Sequence, residues 1–475
     1  MATVFLKNNI SNQSNVLVIT EKFKNEFGLP EKVENYIHQQ LKKEDVKTLQ
    51  YNYVGKLVTI FIVDLKLNQN ELNEKVRKHA ATFCDALNSS KCSEVYIYNQ
   101  TKLSNLSLSA AEGLCLANYQ FISHKSNSSK TANTLKSIVI ANTNLNQTQI
   151  NQLNIVCQAN SKARNLVNEP VNKLNAIDLS NAFKQMGKEA GFKVDVYNKA
   201  KIKQLKMGGL LAVNAGSVDE PTFTVMEYKP VKAKNKKPFV LVGKGVVYDT
   251  GGLSLKPTAG SMDSMKCDMA GAAAVSCAMY AIAKAKLNIH VVALVPATDN
   301  RPGFNAFAPG DIITMMDGST VEMLNSDAEG RMILADALHF AKKYNPELVI
   351  DMATLTGAAI AAIGSFAMVG MGTVNDNLKN KLHQSGFAVN ERIAEFPFWD
   401  DYNDLLKSDI ADQKNIGGPY AGSITAGKFL QKFTNYPYYH LDIAGPAFLS
   451  TKDSYRGKGG TGWGVRFLFD FFKSI

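Results

Sequence analysis

The chain has 475 residues, 45% hydrophobic and 20% charged, a globular composition with length for two or three domains and a core that needs no staples. Six dispersed cysteines form no C-x-x-C pair, which excludes a disulfide scaffold, a zinc knuckle and a thioredoxin-type redox site and points to a reducing compartment. The net charge of +11 is spread along the chain, with 17 basic and 12 acidic residues in 1–160, so a solvated lysine-rich surface accounts for it better than a nucleic-acid arm. Residues 1–7 contain no apolar run of secretory-signal length. Strands are expected at 16–20, 58–65, 94–98 and 137–141, and helices at 32–43 and 72–86, an alternation that implies a layered α/β domain. Residues 126–130 read as a polar loop. The spacing of Ile150, Leu153 and Val156 predicts a helix within 142–163, joining two domains with a boundary near residue 160.

The α/β alternation resumes on a larger scale beyond that boundary. Strands are expected at 223–228, 239–242, 289–295, 348–350 and 439–443. Several are continuous apolar runs, which suit a central sheet covered on both faces. Residues 352–375 carry no charge over a length that spans a bilayer. Their Gly, Ala, Ser and Thr content instead predicts a tightly packed interior segment. Turns at Gly243-Lys244-Gly245 and Thr356-Gly357 follow expected strands, and ligands of open α/β sheets bind at such carboxyl ends.

Three segments place charge in apolar or glycine-rich company. Residues 242–257 hold Lys244, Asp249 and Lys256. Asp268 immediately precedes an alanine-rich helix. Asn325-Ser-Asp327-Ala-Glu329-Gly-Arg331 leads into a helical pattern over 332–344. Asp327 and Glu329 alternate, so an extended backbone would aim both carboxylates to one side. Buried carboxylates are costly unless paired or bound to metal. Four are too many for one catalytic zinc with an open position and suit a pair of divalent ions. For each residue alone the ordinary alternative is a helix cap, at Asp268 and Asp327, or a solvated turn lysine at Lys244. No histidine lies in these segments, which disfavours a histidine-based triad. Gly243-Lys244-Gly245 lacks P-loop spacing.

Asn325-Ser-Asp-Ala-Glu-Gly-Arg331 resembles the Asn-Thr-Asp-Ala-Glu-Gly-Arg signature of the leucine aminopeptidase (cytosol aminopeptidase) family. Residues 242–257, Asp351-Met-Ala-Thr-Leu-Thr-Gly-Ala358, Asn415-Ile-Gly-Gly418 and His440-Leu-Asp-Ile-Ala-Gly445 are similar to further blocks of that family. The resemblance covers about 163–468. It implies a macro-domain-like α/β unit over 1–160 and a zinc-peptidase-like α/β catalytic domain with a central mixed sheet over 161–475. It also implies a cytoplasmic homohexamer acting on peptides with a free N-terminus, preferably at leucine and other apolar residues. Carried over, Asp249, Asp327 and Glu329 would hold one divalent ion, and Lys244, Asp249, Asp268 and Glu329 the other, the ions being Zn, Mn, Mg or Co. A water between them would become the attacking hydroxide. Lys256 and Arg331 match catalytic positions, with bicarbonate expected at Arg331. Met265, Thr354 and Ala444 match the pocket for the first side chain, and the Leu355 backbone carbonyl matches a position near the substrate amine. Four departures stand out: Ser326 for Thr, one extra residue in Thr258-Ala-Gly-Ser261, Asp299 for Glu, and Pro446-Ala447 where a larger lining residue can stand, which would widen the substrate pocket. A two-metal phosphatase or nuclease, and a non-catalytic DNA-binding role, are the competing readings.

Overall fold

The structure, a computed structural model, describes residues 2–7, 14–26, 28–43, 46–53, 55–141 and 143–475. The stretches 1–7 and 142–163 singled out above each begin at a residue outside those described. The chain divides into two compact units, Met1–Ser161 with Thr451–Gly457, and Lys162–Ser450 with Lys458–Ile475. The division falls within the helix Gln147–Asn168.

In the first unit the strands run in the order Thr3–Lys7, Ser137–Ala141, Glu94–Asn99, Val16–Thr20, Lys56–Ile62, Thr48–Tyr53. All pair in parallel except the last two, which are antiparallel. Side chains of a strand alternate between faces, and the buried strands show it. Leu17 and Ile19 join one apolar core with Val95, Ile97, Ile138 and Ile140. Val16 and Val18 join the other with Tyr96, Tyr98 and Val139. Helices Gln69–Ser89 and Asn105–Ala117 cover the first face, and Glu31–Leu41 supplies Ile37 to the second. The segment Ser128–Thr131 is one helical turn, where a loop was expected. Thr451–Gly457 is held in this unit by Tyr455, which is buried beside Ala81 and Leu116 with its hydroxyl on the Glu74 carboxylate.

The second unit is built on a mixed nine-stranded sheet. Its order is Ile393–Glu395, Met368–Gly372, Tyr438–Asp442, Leu348–Ala353, Phe239–Gly243, Val291–Asn300, Thr222–Tyr228, Lys193–Tyr197, with Gly245–Asp249 added to Val291–Asn300. The four central strands are parallel to one another, and the outer pairs include antiparallel ones. Val240, Val242, Val292 and Leu294 share a core with the helix Glu329–Ala341. The helix Ala270–Lys284 packs on the same strands as well. This two-sided cover is why Phe239–Gly243 and the first half of Val291–Asn300 read as unbroken apolar runs. Val291–Asn300 lies later than the strand expected at 289–295 and reaches Asn300. The uncharged stretch 352–375 divides into a strand end, the helix Gly357–Ile363 and the strand Met368–Gly372. No helix among the described residues is long and apolar enough to cross a membrane.

Candidate metal centre

The centre forms where the parallel strands end. Lys244 is not in a turn, as the sequence had implied; it is the one residue between the strands Phe239–Gly243 and Gly245–Asp249. Two glycines let a helix rest on that point. A Cβ on Gly271 would lie 2.0 Å from the Met352 carbonyl, and one on Gly243 would lie 2.7 Å from Ala272 Cα. With neither present, the start of the helix Ala270–Lys284 seats against the strand end, and Ala272 N donates to the Lys244 carbonyl at 2.9 Å. This brings Asp268 to Lys244. Asp268 is not the N-cap of that helix: Met269 stands there and makes no side-chain capping bond.

Lys244 Nζ lies 2.7 Å from Asp268 Oδ2 and 2.9 Å from Glu329 Oε1, and donates to Asp268 Oδ1 at 2.8 Å and the Thr354 carbonyl at 2.9 Å. Thr354 Oγ1 also donates to Asp268 Oδ1 at 2.8 Å. Asp249 closes its strand. Its Oδ1 accepts from Gly251 N at 2.8 Å and Asn300 Nδ2 at 2.9 Å, and its Oδ2 lies 3.0 Å from Lys256 Nζ. Lys256 pairs with Asp327 as well. Carboxylate oxygens of Asp249, Asp268 and Glu329, all buried, lie within 4.8 Å of one another.

The signature segment differs from the extended backbone expected of it. Ser326 and Asp327 form a turn, and Glu329 opens the helix Glu329–Ala341. Asp327 does not cap that helix; Ala328 precedes it, without a side-chain capping bond. The two carboxylates therefore converge because a turn meets a helix start. The extra residue of 258–261 lies in a mostly exposed turn, with Gly260 at φ +75° and open space around its missing Cβ.

Four carboxylates face two ammonium groups, a formal excess of two negative charges in a buried site. Burial, reinforced by Asp249, pushes Asp268 up to about 7 and Glu329 up to about 8 against the pull of Lys244. Asp327 is raised for the same two reasons. Burial alone would depress both lysines, but the surrounding carboxylates hold Lys244 and Lys256 above the ordinary lysine value. With bare carboxylates Lys244 is thus an ammonium, whereas a ligand role requires it neutral. Asp268 Oδ2, Asp327 Oδ1 and Glu329 Oε1 have a lysine ammonium close by but no hydrogen-bond geometry to it, and buried Glu329 Oε2 has no hydrogen-bond partner. Acceptors left over in a buried, negatively charged nest fit divalent cations.

All the candidate metal, catalytic and substrate-pocket residues except Glu329 line one cavity of about 550 Å³. Glu329 lies behind Lys244, 1% exposed. Met265, Leu355 and Ala444 give the cavity apolar wall together with Ile360, Ile416 and Phe448. Ala447 does not line it, so the space expected from a small residue at that position is not opened there. Arg331 donates from Nη1 to the Asn415 carbonyl at 2.7 Å, while its buried Nε has no partner. Burial draws its guanidinium down to about 10.

Supporting residues escaped the sequence reading. Asn415 accepts from Leu324 N and donates to the Asn325 carbonyl, each at 2.8 Å, which pins the signature turn. Asp442 accepts from Leu355 N, Thr356 Oγ1 and Ala444 N, at 3.1, 2.7 and 3.1 Å, and so ties both sides of the apolar wall. Both lie in blocks similar to the family, Asn415-Ile-Gly-Gly418 and His440-Leu-Asp-Ile-Ala-Gly445, but no local pattern gave either a role.

Residues 161–469 match the cytosol aminopeptidase family, catalytic domain. A probable cytosol aminopeptidase of Chlorobaculum parvum is 53% identical over 323 residues, 67% of this chain and 63% of that protein's length. One from Geotalea uraniireducens is 38% identical over 451 residues, 93% of this chain and 90% of the relative. Among solved structures, a mutant of tomato leucine aminopeptidase superposes with TM-score 0.88 at 27% identity, over 100% of this chain and 97% of that one. The bottromycin maturation enzyme BotP in complex with Mn superposes with TM-score 0.85 at 26% identity, over 97% and 99%.

Proposed function

The chain belongs to the cytosol aminopeptidase family, and from that premise we propose that it is a metal-dependent aminopeptidase releasing leucine and other apolar residues from peptide N-termini. One observation carries the reading: a buried carboxylate nest with unsatisfied acceptors opens onto a cavity with an apolar wall. Asp249, Asp327 and Glu329 would hold one divalent ion, and Lys244, Asp249, Asp268 and Glu329 a second. Such ions supply Lewis acidity and lower the pKa of water enough to provide a nucleophile near neutral pH.

The remaining work falls to side chains. A free terminal amine, once deprotonated, would offer one more nitrogen ligand to such an ion, which makes an unblocked N-terminus part of the specificity. Lys244 must give up its proton to act as a ligand, which burial favours once positive charge offsets the carboxylates. Lys256 reaches the cavity with its ammonium and donates to the oxygen on which negative charge develops. The unpartnered Nε of Arg331 offers a donor to a small oxyanion, bicarbonate on the family pattern. Met265, Ile360, Ile416, Ala444 and Phe448 exclude water and receive an apolar side chain. Homohexameric assembly and a cytoplasmic location belong to the same proposal.

The test is metal analysis of the purified chain, with a panel of amino-acid amides assayed before and after chelation. Leucine and methionine amides should be cleaved fastest, chelation should abolish cleavage, and Mn²⁺ or Zn²⁺ should restore it. Cleavage of a phosphodiester with no amide hydrolysed would overturn the reading in favour of a two-metal phosphatase or nuclease.

A further inference from the structure

Asn300 ends the strand Val291–Asn300 and is fully buried. Its Nδ2 donates to Asp249 Oδ1 and to the Ser326 carbonyl, both at 2.9 Å. Both partners can only accept from it, so the orientation of the amide is forced. Its backbone carbonyl accepts from Thr250 N at 3.1 Å and Thr250 Oγ1 at 2.8 Å. Its Oδ1 has no partner and faces Gly252, where a Cβ would come within 2.8 Å. The side chain thus joins the Asp249 carboxylate to the turn that carries Asp327, while the backbone carbonyl holds Thr250 of the loop after Asp249. The side chain also occupies Asp249 Oδ1, which leaves Oδ2 directed toward Lys256.

We propose that Asn300 is a positioning residue for the cation centre, fixing the rotamer of Asp249 and the distance between the segments that bear Asp249 and Asp327. The inference rests on reading the nest as a cation centre. Hydrogen bonds behind the ligands orient them, and losing one typically costs 10–100-fold in metal affinity. Asparagine is the residue this spot requires. Aspartate has the same shape but would set an oxygen against two acceptors, and alanine would leave the Ser326 carbonyl without this donor and Asp249 Oδ1 with Gly251 N alone.

The experiment uses the full chain, stripped by chelator, with Mn²⁺ titrated calorimetrically and thermal unfolding of the stripped protein recorded alongside. Asn300→Asp and Asn300→Ala are compared with Asn214→Asp. Asn214 is a second buried asparagine of the same unit, donating to the Asp219 carbonyl at 2.7 Å and Thr298 Oγ1 at 3.2 Å. Both Asn300 variants should bind Mn²⁺ about 10-fold or more weakly. Asn214→Asp should lower the melting temperature of the stripped chain and keep wild-type affinity. The proposal is overturned if the Asn300 variants bind Mn²⁺ like wild type, if Asn214→Asp loses affinity equally, or if neither Asn300 variant folds. A wild-type chain that takes up no Mn²⁺ sinks the cation reading itself, and this inference with it.

Discussion

Gly330→Ala should cut turnover about 100-fold while leaving the chain folded. Gly330 is the second residue of the helix Glu329–Ala341. A Cβ there would lie 2.4 Å from Lys244 Cε and 2.7 Å from its Nζ. Ordinary contact begins near 3.4 Å, so the lysine tip must retreat by about 1 Å, since the interior has no slack to share the strain. Lys244 Nζ sits 2.7–2.9 Å from its oxygen partners on Asp268, Glu329 and Thr354. A shift of that size takes one or two of them out of hydrogen-bond range. Each such bond to a charged group is worth about 1.5–3 kcal/mol, and a misplacement of about 1 Å at a reacting centre costs on the order of 10²-fold. The backbone effect has the opposite sign, because alanine in place of helical glycine stabilises by roughly 0.5–1 kcal/mol. The net should be a destabilisation of about 1–5 kcal/mol, which lowers the melt but leaves the chain folded while catalysis falls. The assay is kcat/KM on a leucine-amide chromogen with saturating Mn²⁺, beside a thermal melt. Wild-type turnover in the folded variant would show that the position of Lys244 does not matter to the reaction.

Lys256→Ala should lower kcat by roughly 10²–10³ with a smaller change in KM, as expected for a donor that acts on developing charge; an unchanged kcat removes Lys256 from the chemistry. Asp336→Asn should destabilise the chain by about 1–3 kcal/mol. Both carboxylate oxygens of buried Asp336 accept backbone N–H groups, Oδ2 from Leu210 at 2.9 Å and Oδ1 from Met316 at 3.0 Å, and an amide can satisfy only one. A denaturant titration matching wild type would contradict that account.

Local pattern made much of this molecule legible before any fold was known. The strand Val16–Thr20 was readable because its branched residues fill two cores by simple alternation. Phe239–Gly243 and the first half of Val291–Asn300 were readable because burial on both faces leaves them no polar position. Asp249, Asp268, Asp327, Glu329 and the two lysines stood out because charge among glycine and alanine is costly to bury and needs a reason. The manner of their meeting was not legible. It depends on backbone contacts that no local spacing encodes: a helix seated on a strand end through Gly243 and Gly271, and a turn at Ser326 and Asp327 where an extended run was expected. Asn300, Asn415 and Asp442 gave little or no local signal as supports, since each acts on groups 26 to 91 residues away. Thr451–Gly457 likewise joins the first unit through the burial of Tyr455, more than three hundred residues beyond its partners. Composition and periodicity report what a residue needs from its surroundings; which distant groups meet that need is decided only when the chain has packed.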